Sequence, residues 1–409
     1  MTTHLAGDVG VAVAELRSTE AIRQRAQQLL TRARAGDSAW WEVHDDALAS
    51  TADEVAAVAR QRYPDLNIPF HSRWRHFEAG GVDRVAALGD RLPADPADRA
   101  RTLIDLVVVS VLLDAGAGPG WSFTEPGTGL RIERSEGLAV ASWHAFLDGR
   151  FSSDPADPLR VDAAALLDLS PTVLATSFQV SESNPLVGLD GRAALLNRLG
   201  AALDAAPEVF GGRPGGLYDA VVAKAADGAV PAHRILSVLL SSLSGIWLAD
   251  NMIGTVPVGD CWRHDAVHGG GLSDGWMPFH KLSQWLTYSL LEPFAWSGVE
   301  VVGLDELTAL PEYRNGGLLL DTGVLTLRDP ALTDREWAVS DEAVIEWRAL
   351  TVALIDELAP LVRDRLGVDA DALPLACILE GGTWAAGRAL AQRRGGLPPL
   401  TIRSDGTVF

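Results

Sequence analysis

The chain has 409 residues, 47% of them apolar and 22% charged, a composition that excludes intrinsic disorder and allows a sizeable core. Its formal net charge of −20 sets it against a nucleic-acid backbone or an anionic membrane as partner, although one buried Arg or Lys suffices to hold a small anion. Cys261 and Cys377 are its only cysteines, which rules out a disulfide framework and points to the reducing cytoplasm.

Residues 1–17 read as a short tail without the basic and apolar regions of a signal peptide. Ile22, Ala26, Leu29 and Leu30 at helical spacing predict a helix over Ser18 to Arg34, stopped by Gly36. A second helix is predicted over Thr51 to Gln61, with Thr51 as N-cap, Glu54 completing a capping box and Tyr63-Pro64 ending it. The stretch Asn67 to Phe77 carries five basic or potentially basic side chains among three aromatics without a clean period, and reads as a lining segment.

The longest apolar run, Leu103 to Leu113, is broken by Asp105 and Ser110. It falls short of the roughly 20 residues that cross a bilayer and reads as a core helix. Trp121 to Arg134 alternates around Pro126-Gly-Thr-Gly129 and predicts a hairpin. Helices follow from Ser135 into Phe146, from Ser170-Pro171 into Phe178 and from Asp190 into Leu203. Further periodic stretches run from Pro231 to Leu248, Phe279 to Phe294 and Asp341 to Leu366. A terminal hairpin is expected where Leu400-Thr-Ile and Thr407-Val-Phe flank Ser404-Asp-Gly406.

The fold class is therefore mainly α, with one or two small antiparallel hairpins. Residues 18–409 read as one body, with Gly211 to Gly216 and Gly269 to Pro278 as the linker candidates. The first of these is the place where two lobes would join. The oligomeric state is left open.

Glycine loops of the Walker or dinucleotide type are missing, as is a Gly-x-Ser-x-Gly elbow, so no cofactor is expected. Cys261, His264 and His268 stand in Cys-x2-His-x3-His spacing with His280 nearby, four candidate ligands of the two kinds zinc favours. Arg263 and the glycine-rich loop around His268 weigh against a metal, and solvent-facing histidines beside a satisfied cysteine are the plainer alternative. Glu312 follows the stiffening Pro311 and precedes Tyr313-Arg314 and Asn315-Gly-Gly317, which predicts a positioned carboxylate on a turn into a helix. By spacing alone an Arg-paired structural turn is the commoner outcome. His44, after Trp40-Trp41, reads first as a structural histidine. Glu380, before Gly381-Gly-Thr-Trp384, suits either a ligand-facing carboxylate or a helix terminus.

Four motifs together resemble a uracil-catabolism family of fungi and bacteria whose domain has been of unknown function. They are Asn67 to Gly81, Phe151-Ser-Ser-Asp-Pro155, Gly259-Asp-Cys-Trp-Arg-His264 and Phe279-His-Lys-Leu-Ser-Gln-Trp-Leu286, and the match runs from Ser18 to Phe409. The resemblance implies a step after opening of the uracil ring, with ribosylurea or its 5-phosphate as substrate and urea as product.

A more distant likeness is to the queuosine salvage proteins, which hydrolyse the N-glycosidic bond of queuosine 5-phosphate. It is carried by Trp41-Glu-Val-His44, Leu66-Asn67 with Phe70, and Asn184-Pro-Leu186. Arg192, Leu196-Asn197, Phe210-Gly-Gly212, His280-Lys-Leu-Ser-Gln284, Leu307-Thr308, Pro311-Glu-Tyr-Arg314, Glu346-Trp-Arg348 and Glu380 extend it.

That likeness implies a body resembling helix-hairpin-helix DNA glycosylases, Glu312 in the place of a catalytic Asp, and Glu380 in that of a ligand-binding Asp. His44, Tyr313 and Arg314 become expected substrate contacts. Lys281, Arg73 or Arg75 would hold a phosphate, and Glu380 or His44 would hold or protonate the urea end. Leu310, Gly381 and Ala385 stand where that family has a Phe, a Tyr and an acidic contact. Their loss removes stacking area and suits a small leaving group. The rival reading is a metal-dependent amidohydrolase using Cys261, His264, His268 or His280; a metabolite-binding pathway protein is the non-enzymatic one.

Overall fold

The computed structural model describes residues 2–114, 116–225, 228–249, 251–396 and 399–403, with backbone alone for 2–6. Helix outweighs strand 57% to 9%, as the apolar periodicity predicts. The chain forms two units. The first is assembled from Met1–His71, Asn251–Gln284 and Gly303–Ser404, and the second from Ser72–Asp250, Trp285–Val302 and the terminal segment beyond Ser404. Neither glycine-rich stretch marks a boundary: 211–216 lies inside the second unit and 269–278 inside the first.

The first unit is built on the 25-residue helix Glu342–Leu366. Its Leu350, Leu354, Ile355 and Leu358 are buried, and it packs on helices Thr19–Arg34 and Leu48–Arg62. Ser18 caps the former through the Ala21 N–H. The latter begins three residues before the predicted start, because Asp45–Ala47 already turn as a 3-10 helix and Leu48 is buried. Thr51 is thus inside the helix, donating to the Ala47 carbonyl, and caps nothing. Residues expected as a tail contain helix Thr2–Leu16; its Ala12, Val13 and Leu16 are buried with Ile253, Val258, Cys261 and Trp276.

Among the described residues, strand pairing is confined to two-stranded pieces. In the first unit Trp41–Val43 pairs antiparallel with Leu325–Leu327, and Cys261–Arg263 with Trp276–Pro278. Thr401–Arg403 runs parallel to Glu336–Ala338; the remainder of the expected terminal hairpin, residues 404–409, lies outside the described residues.

The second unit centres on helix Pro96–Leu112, whose residues 102–112 are all buried. Asp105 within it accepts from Arg213 Nη2 at 2.6 Å, the Gly215 N–H at 2.6 Å and the Val161 N–H at 3.0 Å. A Cβ on Gly215 would sit 2.5 Å from the Arg101 carbonyl oxygen, so this glycine-rich loop is pinned to the core helix. The hairpin predicted around residues 126–129 is present, with Ser122–Thr124 antiparallel to Arg131–Glu133. Ser170 caps helix Pro171–Ser177 as its Ser-Pro start requires. No helix among the described residues is long and apolar enough to cross a membrane.

Candidate active site

Glu312 is the N-cap of helix Tyr313–Asp321, in extended backbone at φ −120, ψ 170. Its Oε1 accepts from the Asn315 N–H at 2.6 Å and its Oε2 from the Arg314 N–H at 2.7 Å. Both oxygens are thus aimed by the backbone, which satisfies two donors that a helix start leaves open. Asn315 closes the turn by donating to the Leu310 carbonyl at 3.0 Å. Close packing fixes the helix behind it. A Cβ on Gly316 would lie 2.7 Å from the Trp347 indole, and one on Gly387 would lie 2.2 Å from the Arg314 carbonyl oxygen.

A buried ion pair supports the same turn. Arg348 holds Asp260 through two contacts of 2.8 Å and reaches the Pro311 carbonyl through Nε at 3.4 Å. Asp260 Oδ2 in turn accepts from the Lys281 N–H at 3.0 Å, at the start of helix Lys281–Trp296. Lys281 and Glu312 are therefore tied to one fixed pair. Loss of solvation by burial pushes the Glu312 carboxyl above its ordinary range; its two backbone hydrogen bonds and the charges of Lys281 and His71 oppose the shift. A carboxylate so placed, half-buried and close to two basic groups, is arranged as functional carboxylates are.

Glu380 lies in a π-helical turn, Ile378–Thr383, a local widening that often marks functional positions. Its Oε2 accepts from His71 Nδ1 at 2.9 Å and its Oε1 from Arg62 Nη2 at 3.2 Å. Arg62 also donates to the Glu380 carbonyl at 2.7 Å. The His71 N–H is fixed on the Ala376 carbonyl at 2.9 Å, and its ring lies 5.7 Å from that of Trp384. Glu380, His71 and Arg62 form a bonded group in the first unit, and the charges of His71 and Lys281 act on Glu312 there.

The other expected residues divide between the two units. Tyr313 is exposed and Arg314 buried, with its guanidinium 5.0 Å from the Tyr313 ring. His44 Nε2 is bonded to Thr326 Oγ1 at 2.9 Å on the paired strand. Arg73 and Arg75 belong to the second unit, where both are engaged in ion pairs. Arg73 contacts Asp114 at 3.1 Å and Ser110 at 2.8 Å; Arg75 contacts Glu292 and Glu78, each at 2.8 Å.

Cys261, His264, His268 and His280 do not converge on one point. Cys261 Sγ is 3.6 Å from His280 Nε2, but that nitrogen is engaged by the Leu16 carbonyl at 2.8 Å. Burial pushes the Cys261 thiol well up and the His280 imidazole down. His268 is exposed, 3.8 Å from Asp274. Among the described residues, the group of three in metal-ligand range is His264, Glu342 and Glu346. There the Ala266 N–H donates to His264 Nδ1 at 3.2 Å. That bond places the neutral ring's proton on Nε2, facing Glu342 at 3.7 Å and Glu346 at 4.0 Å. The nitrogen a metal would need is the protonated one.

Sequence reasoning passed over His71, Arg62, Asp260 and Arg348. Three of them sat in quoted motifs: His71 among the basic residues of 67–77, Asp260 beside Cys261, and Arg348 in Glu346-Trp-Arg348. Mixed aromatic and basic residues without a period were the available signal for His71.

Residues 15–409 match the family described as "Protein of unknown function (DUF1688)", and the chain belongs to that family. Among its relatives, Protein urg3 of Schizosaccharomyces pombe is 39% identical over 410 residues, covering 97% of this chain and 99% of that protein. Uracil catabolism protein 4 of Lachancea kluyveri is 40% identical over 390 residues, covering 86% of this chain and 88% of that protein. The family resemblance read from the four motifs is borne out.

Proposed function

We propose that this protein acts in uracil catabolism as an N-ribosyl hydrolase, cleaving ribosylurea or its 5-phosphate to urea and ribose or ribose phosphate. The observation that carries this reading is the Glu312 carboxylate, held by two backbone N–H groups beside Lys281 and His71. The printed name of the Lachancea kluyveri relative supplies the pathway.

Breaking a ribosyl C1–N bond builds positive charge on the sugar, so a fixed carboxylate near C1 lowers the barrier and accepts a proton from the attacking water. Glu312 fits that role, and its two capping bonds mean that little reorganisation is needed during reaction. Lys281 is the cation of the same unit suited to a 5-phosphate. The leaving-group side supports a small product. A Cβ at Gly381 would meet Ile68 side-chain atoms at 2.8 Å, so an aliphatic chain fills the space where the queuosine-type site has an aromatic. Leu310 and Ala385 are buried and offer no flat face either.

Incubating the purified protein with ribosylurea and its 5-phosphate and measuring urea tests the reading. Urea with an equal amount of the sugar is expected. Ammonia with ribosylamine instead would move the chemistry to the ureido carbonyl and overturn it.

A further inference from the structure

The leaving nitrogen of ribosylurea departs with an electron pair and needs a proton, and the two groups expected to supply it are otherwise engaged. His44 is tied to Thr326, and Glu380 uses both carboxylate oxygens as acceptors, from Arg62 and His71. We propose that His71, oriented by Glu380, is the group that protonates the leaving nitrogen; this rests on the N-ribosyl reading above.

The geometry is that of a carboxylate–imidazole dyad. Glu380 Oε2 takes the Nδ1 side of the ring at 2.9 Å, which leaves Nε2 as the nitrogen that exchanges protons. Arg62 holds the carboxylate from its other oxygen and from its backbone carbonyl. His71 is 5% exposed, fixed by its backbone bond to Ala376 and by Trp384. Charged groups that act with it are Glu380, Arg62 and Glu312, with Lys281 acting on Glu312 as well. Acid and carboxylate thus stand within electrostatic range of each other, as hydrolysis with separate roles requires.

The step balances. The C1–N bond breaks and its electron pair stays on the urea nitrogen, which takes the Nε2 proton from the imidazolium of His71. Water bonds to C1 and gives its proton to Glu312. Transfer of that proton back to His71, directly or through solvent, restores the starting state.

The test compares wild type with His71→Asn, which keeps an N–H donor for Glu380 but has no titratable ring, and with Glu380→Gln. Each is assayed on ribosylurea and on 4-nitrophenyl β-ribofuranoside, whose phenolate leaves without a proton. For His71→Asn, ribosylurea turnover is expected to fall roughly a hundred- to ten-thousandfold, while the aryl riboside is cleaved within a few-fold of wild type. The alkaline limb of the ribosylurea pH profile should vanish in His71→Asn and be altered in Glu380→Gln. Equal losses on both substrates, or an alkaline limb unchanged in both variants, would overturn the assignment. The pH profile decides if the wild type refuses the aryl substrate. Wild type that cleaves neither these compounds nor ribosylurea 5-phosphate would defeat the N-ribosyl reading itself, whereas wild type that releases urea with an unaffected His71→Asn defeats the His71 role alone.

Discussion

Glu312 has two separable duties, capping a helix and facing the reaction, and three substitutions at this position tell them apart. Glu312→Ala removes acceptors for the Asn315 and Arg314 N–H groups; loss of an N-cap costs about 0.5–2 kcal/mol. Glu312→Gln keeps one acceptor and turns an amide towards the other N–H, for about 1 kcal/mol. Glu312→Asp keeps a preferred capping side chain and leaves stability near wild type, but draws the carboxylate back by about 1.5 Å, one carbon–carbon bond.

Activity should follow a different order. The Gln variant loses the charge and falls roughly a hundred- to ten-thousandfold, equivalent to about 3–5 kcal/mol of barrier. The Asp variant falls about a hundredfold through misplacement alone. Against a folding free energy of about 5–15 kcal/mol, a loss near 1 kcal/mol leaves the Gln variant folded, so unfolding does not explain its inactivity. Urea release is followed in parallel with denaturant midpoints. Near-wild-type turnover by Glu312→Gln refutes the catalytic role, and activity that tracks stability across the series reduces Glu312 to a cap.

The raised Glu312 carboxyl makes the acid limb of kcat/KM fall through a value above 4.5, because the ionised form is the active one; a limb below the ordinary carboxylate range contradicts this. Arg348→Met strands the buried Asp260 carboxylate and is expected to cost about 3–5 kcal/mol in urea unfolding, with part recovered in the Asp260→Asn, Arg348→Met double variant. Gly387→Ala drives a methyl into the Arg314 carbonyl oxygen, a backbone atom that cannot step aside, and should lower stability by about 1–3 kcal/mol. In the second unit, burial pushes Glu125 up, but hydrogen bonds from Arg84, Thr128 and His144 prevail and bring it from 4.5 to about 2. A folded value below the unfolded one gives stability that is present above pH 4.5 and lost as pH falls towards 2, about 3 kcal/mol in all. Glu125→Gln should flatten that decline in acid-unfolding curves.

Periodicity made the helices legible, since apolar spacing and local caps such as Ser18 and Ser170 act within a few residues of one another. Helix Thr2–Leu16 escaped because its small residues and two glycines give a weak pattern, and its buried face is completed only by residues near 253–276. The start of Leu48–Arg62 was misplaced because a Thr-x-x-Glu box looks alike at a helix start and one turn inside it. The parallel pairing of Thr401–Arg403 with Glu336–Ala338 joins strands far apart in sequence, and no local signal announces it. The site divides in the same way. Glu312 was readable from Pro311 and the glycines after it, whereas His71 and Glu380 are 309 positions apart and nothing in either neighbourhood names the other. In the Cys/His stretch, sequence proximity places residues on a common loop without aiming their side chains at a common point.

The division of the first unit into three segments bears on how the protein is made. Residues 1–71 share their unit with the segments beginning at 251 and 303, with most of the second unit encoded between them. At about 5–20 residues per second on a ribosome, some 10–40 s pass between synthesis of residue 71 and of residue 251. Throughout that interval the apolar faces of Thr19–Arg34 and Leu48–Arg62 await the 342–366 helix that covers them. The nascent N-terminal segment is thus a natural client for holding chaperones, and the last quarter of the message decides whether the first reaches its folded state.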